Sequence, residues 1–291
     1  MKYTVRELLP GEFPSQLLEI PQPPKKLWLA GELPGPDTIL LTVVGARKHS
    51  SYGKEACEHL IEGLRGYDIA IVSGLALGID AIAHESAMRA GLKTIAVPGS
   101  GLDRSIIYPR SNLQLAERVI ESGGALLSEF DPMMKAETWT FPQRNRIMAG
   151  LAQATLLIEA EQKSGTLITA RLAADYNRDV FAVPGSIFSS LSKGTNQFIA
   201  LGATPVSSGE DVLRALGFNV EQDEKKEAEM NLSLFPDDER SVLELLHEPI
   251  GRETLIEQLG LRASDANVLL MKLEIAGHII DTPEGIRRAN T

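Results

Sequence analysis

TIAVPGSGLDRS (94–105) and VFAVPGSIFSSLSKG (180–194) share the five residues AVPGS, at 96–100 and again at 182–186. In each, a short apolar run stops at a Pro-Gly pair. That pattern predicts a strand that ends in a sharp turn. The flanking residues do not match, so the repeat marks two equivalent strand endings and not a duplicated domain.

Working outward, apolar runs of strand length alternate with stretches of helical period. ILLTVVG (39–45), DIAIVSG (68–74), TIAVPG (94–99), ALLSEF (125–130), ATLLIEA (154–160) and DVFAVPG (179–185) read as strands. Between them, SSYGKEACEHLIEGLRG, DAIAHESAMRAG, NLQLAERVIESG, QRNRIMAGLAQ and LITARLAADYN read as helices. Near-continuous apolar strands joined by amphipathic helices predict an α/β class: a Rossmann-like, doubly wound, mostly parallel sheet covered on both faces. Residues 1–37 form a lead-in packed on this core, which spans 38–220. The charged stretch 221–235 reads as a linker, and 236–291 as three helices and a hairpin, the outline of a small C-terminal winged helix. There, Ser264 is the expected cap of the third helix, and Gly260 and Gly277 are the expected stops of the second and third.

Charge is uneven along the chain. The net charge is −10, but 221–291 alone carries 8 basic and 16 acidic residues, which leaves 1–220 nearly neutral. Only the tail is therefore a poor match to phosphates. Its third helix offers Lys272 as the one basic residue, so a protein-contact or regulatory role is expected there, not duplex reading. The single cysteine, Cys57, sits among carboxylates and excludes an internal disulfide, which makes the cytoplasm the default. No apolar run approaches membrane-spanning length.

In open parallel sheets, ligands bind beyond the carboxyl ends of the strands. Here those endings are VVGARK, IVSGLALG, AVPGSGLD, LIEAEQKSGT and AVPGSIF, all glycine-bearing. Arg144 and Arg146 flank Asn145 at a helix start, where their charges oppose the macrodipole unless an anion offsets them. Lys163 precedes Ser164-Gly165-Thr166 at another helix start, a ready anion site. Arg47 and Lys48 follow the first core strand. Neither a Walker A loop nor GxGxxG is present, and no acidic residue closes the second strand, so a nicotinamide dinucleotide is disfavoured. Asp80 and His84 stand one helical turn apart, most simply as a structural pair. His49, His59, His247 and His278 have no evident partners. Asp103, Glu159 and Glu161 are the candidate pocket carboxylates. No nucleophile–base pair, metal set or cofactor motif emerges, so no catalytic residue is assigned.

The motifs GARKHSSYG (45–53), SGLALGIDAIAH (73–84), AVPGSGLDRSIIYPRSN (96–112), LLSEFDP (126–132), FPQRNRIMAGLA (141–152), EAEQKSGTLITARLAADYNRDVFAVPGS (159–186) and KGTNQFIALGA (193–203) follow one another as in the DNA-processing protein A (DprA, or Smf) family. The chain resembles that family over roughly 10–215. Ala46 departs from its pattern, as does the lack of a helical domain ahead of the core. The resemblance implies a bacterial cytoplasmic homodimer that binds single-stranded DNA in natural transformation and recombination. It also implies that the protein protects incoming strands and helps load a RecA-type recombinase. By motif match, Arg47, Arg144, Arg146 and Lys163 would hold phosphates. Ser73, Gly74, Pro98, Gly99, Gly101, Asn145 and the amides of Ser164, Gly165 and Thr166 would line the pocket. Phe141 would stack a base or, equally, pack in the core beside Pro142. The rival readings are a phosphoribohydrolase-like Rossmann enzyme and a pure interaction scaffold.

Overall fold

The computed structural model describes residues 3–220, 235–246, 249–282 and 285–289. Two compact units divide at Phe218 and Asn219.

Six strands of the first unit run parallel with a central one, β3 (Ile39–Val44). On one side lie β4 (Ile69–Ser73), β5 (Lys93–Ala96) and β6 (Ala125–Ser128). On the other lie β7 (Ala154–Leu157), β8 (Asp179–Ala182) and the two-residue β9 (Thr204–Pro205). The chain therefore reverses its direction of travel across the sheet between β3 and β7, the position where such sheets open a crevice. The two AVPGS segments follow β5 and β8, each two strands from β3 on opposite sides. Their valines make equivalent bonds: Val97 N–H donates to Ser73 and Val183 N–H to Leu157, each the last residue of the strand nearer the centre. That symmetry accounts for the repeat.

The strands end earlier than their apolar runs, because the Gly-bearing tails turn away as loops. The lead-in does more than pack. It supplies β1 (Arg6–Glu7) and β2 (Trp28–Gly31), which extend the sheet antiparallel beyond β6. Neither strand was expected, since each is short and lacks period-2 alternation. The lead-in's short helix α1 (Ser15–Leu18) lies on α5 (Thr140–Leu151), where a Cβ at Gly150 would come within 2.6 Å of Ile20.

Helices α2 (Ser51–Glu62), α3 (Ile79–Arg89), α4 (Leu113–Glu121), α6 (Thr166–Asp175), α7 (Lys193–Ala200) and α8 (Gly209–Ala215) complete the unit. Inside it, Asp80 and His84 do not bond one another. Asp80 accepts from Ala76 N–H at 3.3 Å, and His84 Nδ1 meets Thr94 Oγ1 at 2.7 Å. The Thr94 hydroxyl donates to the Ile71 carbonyl, so it accepts from His84, which fixes the Nδ1–H tautomer. His84 Nε2 has no partner, and burial, helped by the Arg144 charge, lowers the His84 pKa to about 3. A histidine held neutral in the fold stabilises it above the unfolded pKa and loses that contribution as pH falls. Between pH 7 and 5 this group alone should remove about 2 kcal/mol of stability. Urea unfolding of wild type and His84→Gln at both pH values checks this. The wild type should show the steeper acid loss, and equal losses would exclude His84 as the cause.

The second unit holds α9 (Asp237–Leu245), α10 (Arg252–Leu259), α11 (Ala263–Ile275) and the hairpin β10 (Ile279–Thr282) with β11 (Gly285–Arg288). Gly260 ends α10 in the left-handed region, and Gly277 follows α11 at φ +77°. Ser264 is not the cap: α11 begins one residue earlier, after Arg262, so Ser264 sits in its first turn and bonds Asp265. Lys272 is engaged by Glu239 at 2.5 Å. Of the linker, only Phe235 is described, its ring edge-on to His278 at 4.9 Å. The rest of that stretch, and His247, lie outside the described residues.

Candidate functional site

A cavity of about 430 Å³ opens at the carboxyl end of β3, beside the crevice between β3 and β7. Three segments form its walls: the loop 44–48 after β3, one face of α5, and the turn that starts α6. Thr166 Oγ1 ties two of them together by donating to the Gly45 carbonyl at 3.0 Å.

From α5 come Phe141, Arg144, Asn145 and Met148. Their spacing of i, i+3, i+4 and i+7 puts them on one helical face. Arg144 is 5% exposed, and its Nη1 donates to the Val97 carbonyl at 2.5 Å. This guanidinium and the buried Asp80 carboxylate crowd Gly74. A Cβ there would lie 1.8 Å from Nη1 of Arg144 and 2.5 Å from Oδ2 of Asp80, so only glycine leaves room for both. Burial lowers the Arg144 pKa to about 10; Asp80 opposes that shift and the Arg47 charge adds to it. Burial likewise raises Asp80, against the pull of Arg144. Arg144 Nε has no partner.

Arg47 lies exposed at the mouth, its guanidinium carbon 5.4 Å from the Phe141 ring centre. Such a cation over a ring holds both groups in place at modest cost. Lys48 is beside it, and neither has an acidic partner among the described residues. At α6, the Ser164 N–H donates to Glu161 and the Thr166 N–H to the Ser164 hydroxyl. Gly165 N–H is left without a partner among the described residues, at the positive end of the helix dipole.

The structure thus gathers Arg47, Phe141, Arg144, Asn145, Ser164, Gly165 and Thr166 around one space. Other expected residues lie elsewhere. Arg146 is turned roughly 200° from Arg144 around the helix axis. It donates to the Gln22 carbonyl at 2.5 Å and pairs with Glu129, which anchors the lead-in. The helical period of FPQRNRIM was the signal that could have excluded it. Lys163 is exposed on the same turn as Ser164 but does not line the cavity.

Ser73, Gly74, Pro98, Gly99 and Gly101 are buried and do not line the cavity. Ser73 donates to the Val43 carbonyl at 2.7 Å. Gly99 receives the Phe141 ring, 2.6 Å from where a Cβ would stand, and Gly101 is closed in by the carbonyls of Asp131 and Pro132. At those glycines the nearest groups are the protein's own. Of the amides at 164–166, only that of Gly165 is open.

The candidate carboxylates also separate. Glu159 is 2% exposed and binds Ser50 N–H and Oγ at the start of α2. Asp103 bonds Ser105 away from the cavity, and Glu161 lines it. Lys48, Asp80 and the apolar Met148, Ile168 and Leu191 line the cavity without having been assigned to it. Burial pushes the Cys57 thiol up, which suits an inert core residue. Among the described residues no group of three or more His, Cys, Asp or Glu is placed to hold a metal ion.

Comparison with known proteins places this arrangement. Residues 7–217 match the family described as DNA recombination-mediator protein A, and 225–285 match the DprA winged helix domain. Protein Smf of Escherichia coli is 37% identical over 295 residues, covering 97% of this chain and 78% of that protein. DNA processing protein A of Streptococcus pneumoniae superposes with a TM-score of 0.66 at 39% identity, over 74% of each chain. The structure of DNA processing protein A from Helicobacter pylori, determined for its single-stranded DNA binding mode, gives 0.65 at 28% identity. It covers 74% of this chain and 98% of that one. With matched domains in both units and collinear site motifs, the chain belongs to the DNA recombination-mediator protein A family.

Proposed function

We propose that this protein binds single-stranded DNA in the cavity beside β3 and acts without chemistry on it. In this role it shields incoming strands during natural transformation and helps a RecA-type recombinase onto them. The observation that carries the reading is the cavity's composition: two exposed cations, Arg47 and Lys48, with no carboxylate in ion-pair contact among the described residues, an open helix-start amide and a phenylalanine ring. Unpaired strands need cations for the backbone and a sequence-tolerant ring for the bases. Phosphates would meet Arg47, Lys48 and Gly165 N–H, with Arg144 supplying positive potential from behind.

The reading includes a homodimer working in the cytoplasm. Support for the dimer is the apolar side chain of Leu201, 73% exposed where α7 ends. Support for the cytoplasm is the single buried Cys57. Among the described residues no helix is long and apolar enough to cross a membrane. The acidic winged helix is a protein-contact module in this scheme. Lys272 is paired with Glu239, and Arg252 with Asp281 at 2.9 Å, which leaves these cations ill placed to hold duplex phosphates.

Fluorescence anisotropy with a mixed-sequence oligonucleotide, single-stranded and as duplex, over a salt series tests the proposal. Tighter single-strand binding that weakens linearly in log–log salt is expected. Equal affinity for both forms, or binding indifferent to salt, would contradict it. Adenine released from AMP would favour the phosphoribohydrolase reading instead.

A further inference from the structure

Phe188 is 91% exposed, the most exposed of the large apolar residues among those described, with Ile187 beside it at 76%. The loop that carries them is not slack. Asn196 brackets Gly185, accepting from its N–H at 3.2 Å and donating to its carbonyl at 2.9 Å. Tyr52 donates its hydroxyl to the Pro184 carbonyl at 2.7 Å. A tight turn follows, with Ser189 N–H to the Ser186 carbonyl at 3.0 Å and Phe188 N–H to Ser186 Oγ at 3.3 Å. The far end is pinned by Ala160 N–H on the Leu191 carbonyl at 2.7 Å. A phenyl ring is therefore held out in water by a fixed scaffold, against the usual drive to bury it.

We infer that Phe188 is a second stacking platform, which takes an unpaired base of the strand as it leaves the cavity. This inference rests on the single-strand reading of the site and extends its length. Continuity carries it: Leu191, three residues on, lines the cavity on the side of α6, while Phe141 lines it from α5. A strand crossing from Phe141 past the start of α6 passes onto the 186–192 loop. The surroundings suit a nucleic acid better than a protein. Ser186, Ser189 and Ser190 neighbour the ring in sequence and exposed Lys193 follows at the start of α7, so Phe188 and Ile187 stand on a polar stretch, with Pro184 and the Tyr52 ring at its near end. A ring held out on a polar loop offers a face to a flat base, whereas protein partners select larger contiguous apolar patches. Preorganisation of the loop lowers the ordering cost of the contact.

Full-length Phe188→Ala and Phe188→Trp are compared with wild type by anisotropy, using an oligothymidylate long enough to pass the cavity and a matching strand with abasic sites at its ends. Phe188→Ala should bind the intact strand at least about fivefold more weakly, with the salt slope unchanged because no cation is lost. Phe188→Trp should restore the affinity, and its added indole fluorescence should be quenched by the intact strand only. On the abasic strand, whichever end lies past the cavity, wild type and Phe188→Ala should converge. Equal affinity of wild type and Phe188→Ala for the intact strand would overturn the inference and leave the cavity reading standing. Sedimentation adds a second check: a change of oligomeric state in Phe188→Ala with DNA affinity unaltered would make the ring a contact between copies of the chain, and also overturn it. Failure of wild type to bind the strand at all would remove both.

Discussion

Arg144→Met is expected to lower the stability of the first unit by about 3–5 kcal/mol, the cost of stranding one member of a buried charge pair. The guanidinium is almost wholly buried, and the groups it would leave behind are the Asp80 carboxylate and the Val97 carbonyl. Methionine fills much of the same volume, so the lost charge dominates over any cavity. Asp80 is already raised by its burial. Without Arg144 it should titrate higher still. Protonation then removes the stranded charge, so the penalty must shrink as pH falls. The double variant Arg144→Met with Asp80→Asn should recover a large part of the loss at neutral pH. Urea unfolding of both variants over pH is the measurement. A loss below about 1 kcal/mol in the single variant, or no recovery in the double, would mean that the two groups do not act as a pair.

Removing Arg47 and Lys48 together should weaken single-strand binding about ten- to a hundredfold at low salt, with the thermal midpoint unchanged. Both side chains are exposed and neither makes a direct ion pair among the described residues, so folding should depend on them little. Each phosphate contact on a single strand contributes about 0.7 to the salt slope, so the double variant should lose about 1.4. Arg47→Ala alone should lose half the slope change but more than half the affinity. It also removes the cation that holds the Phe141 ring in place, its guanidinium carbon 5.4 Å from the ring centre. An unaltered slope in the double variant would place the strand elsewhere on the molecule.

The sheet was legible because its strands are buried on both faces and read as continuous apolar runs, as in ILLTVV and DIAIVS. The lead-in strands were not. Trp28–Gly31 has only four residues, and its partner Arg6–Glu7 has two exposed charged ones, so pairing comes from the edge of β6 and not from local pattern. At the site, Arg47 and 164–166 were recognisable as a cation and a helix start at strand endings; Arg144 and Asn145 were expected at a helix start, but α5 begins at Thr140 and carries them in its second turn. Arg146 misled because proximity in sequence was allowed to outweigh helical period. The glycines misled for another reason: a residue without a side chain signals a close approach but not what approaches. At Gly74, Gly99 and Gly101 it is the protein itself. Phe188 carried no signal in an apolar-looking stretch until its exposure was known.

A crystal structure with a bound oligothymidylate tests the central claim most directly. It should show a phosphate within hydrogen-bonding distance of the Arg47 guanidinium and of Gly165 N–H, with an adjacent base against Phe141. A strand lying wholly on the winged helix or across another face, with the cavity at β3 left unfilled by nucleotide, would contradict it.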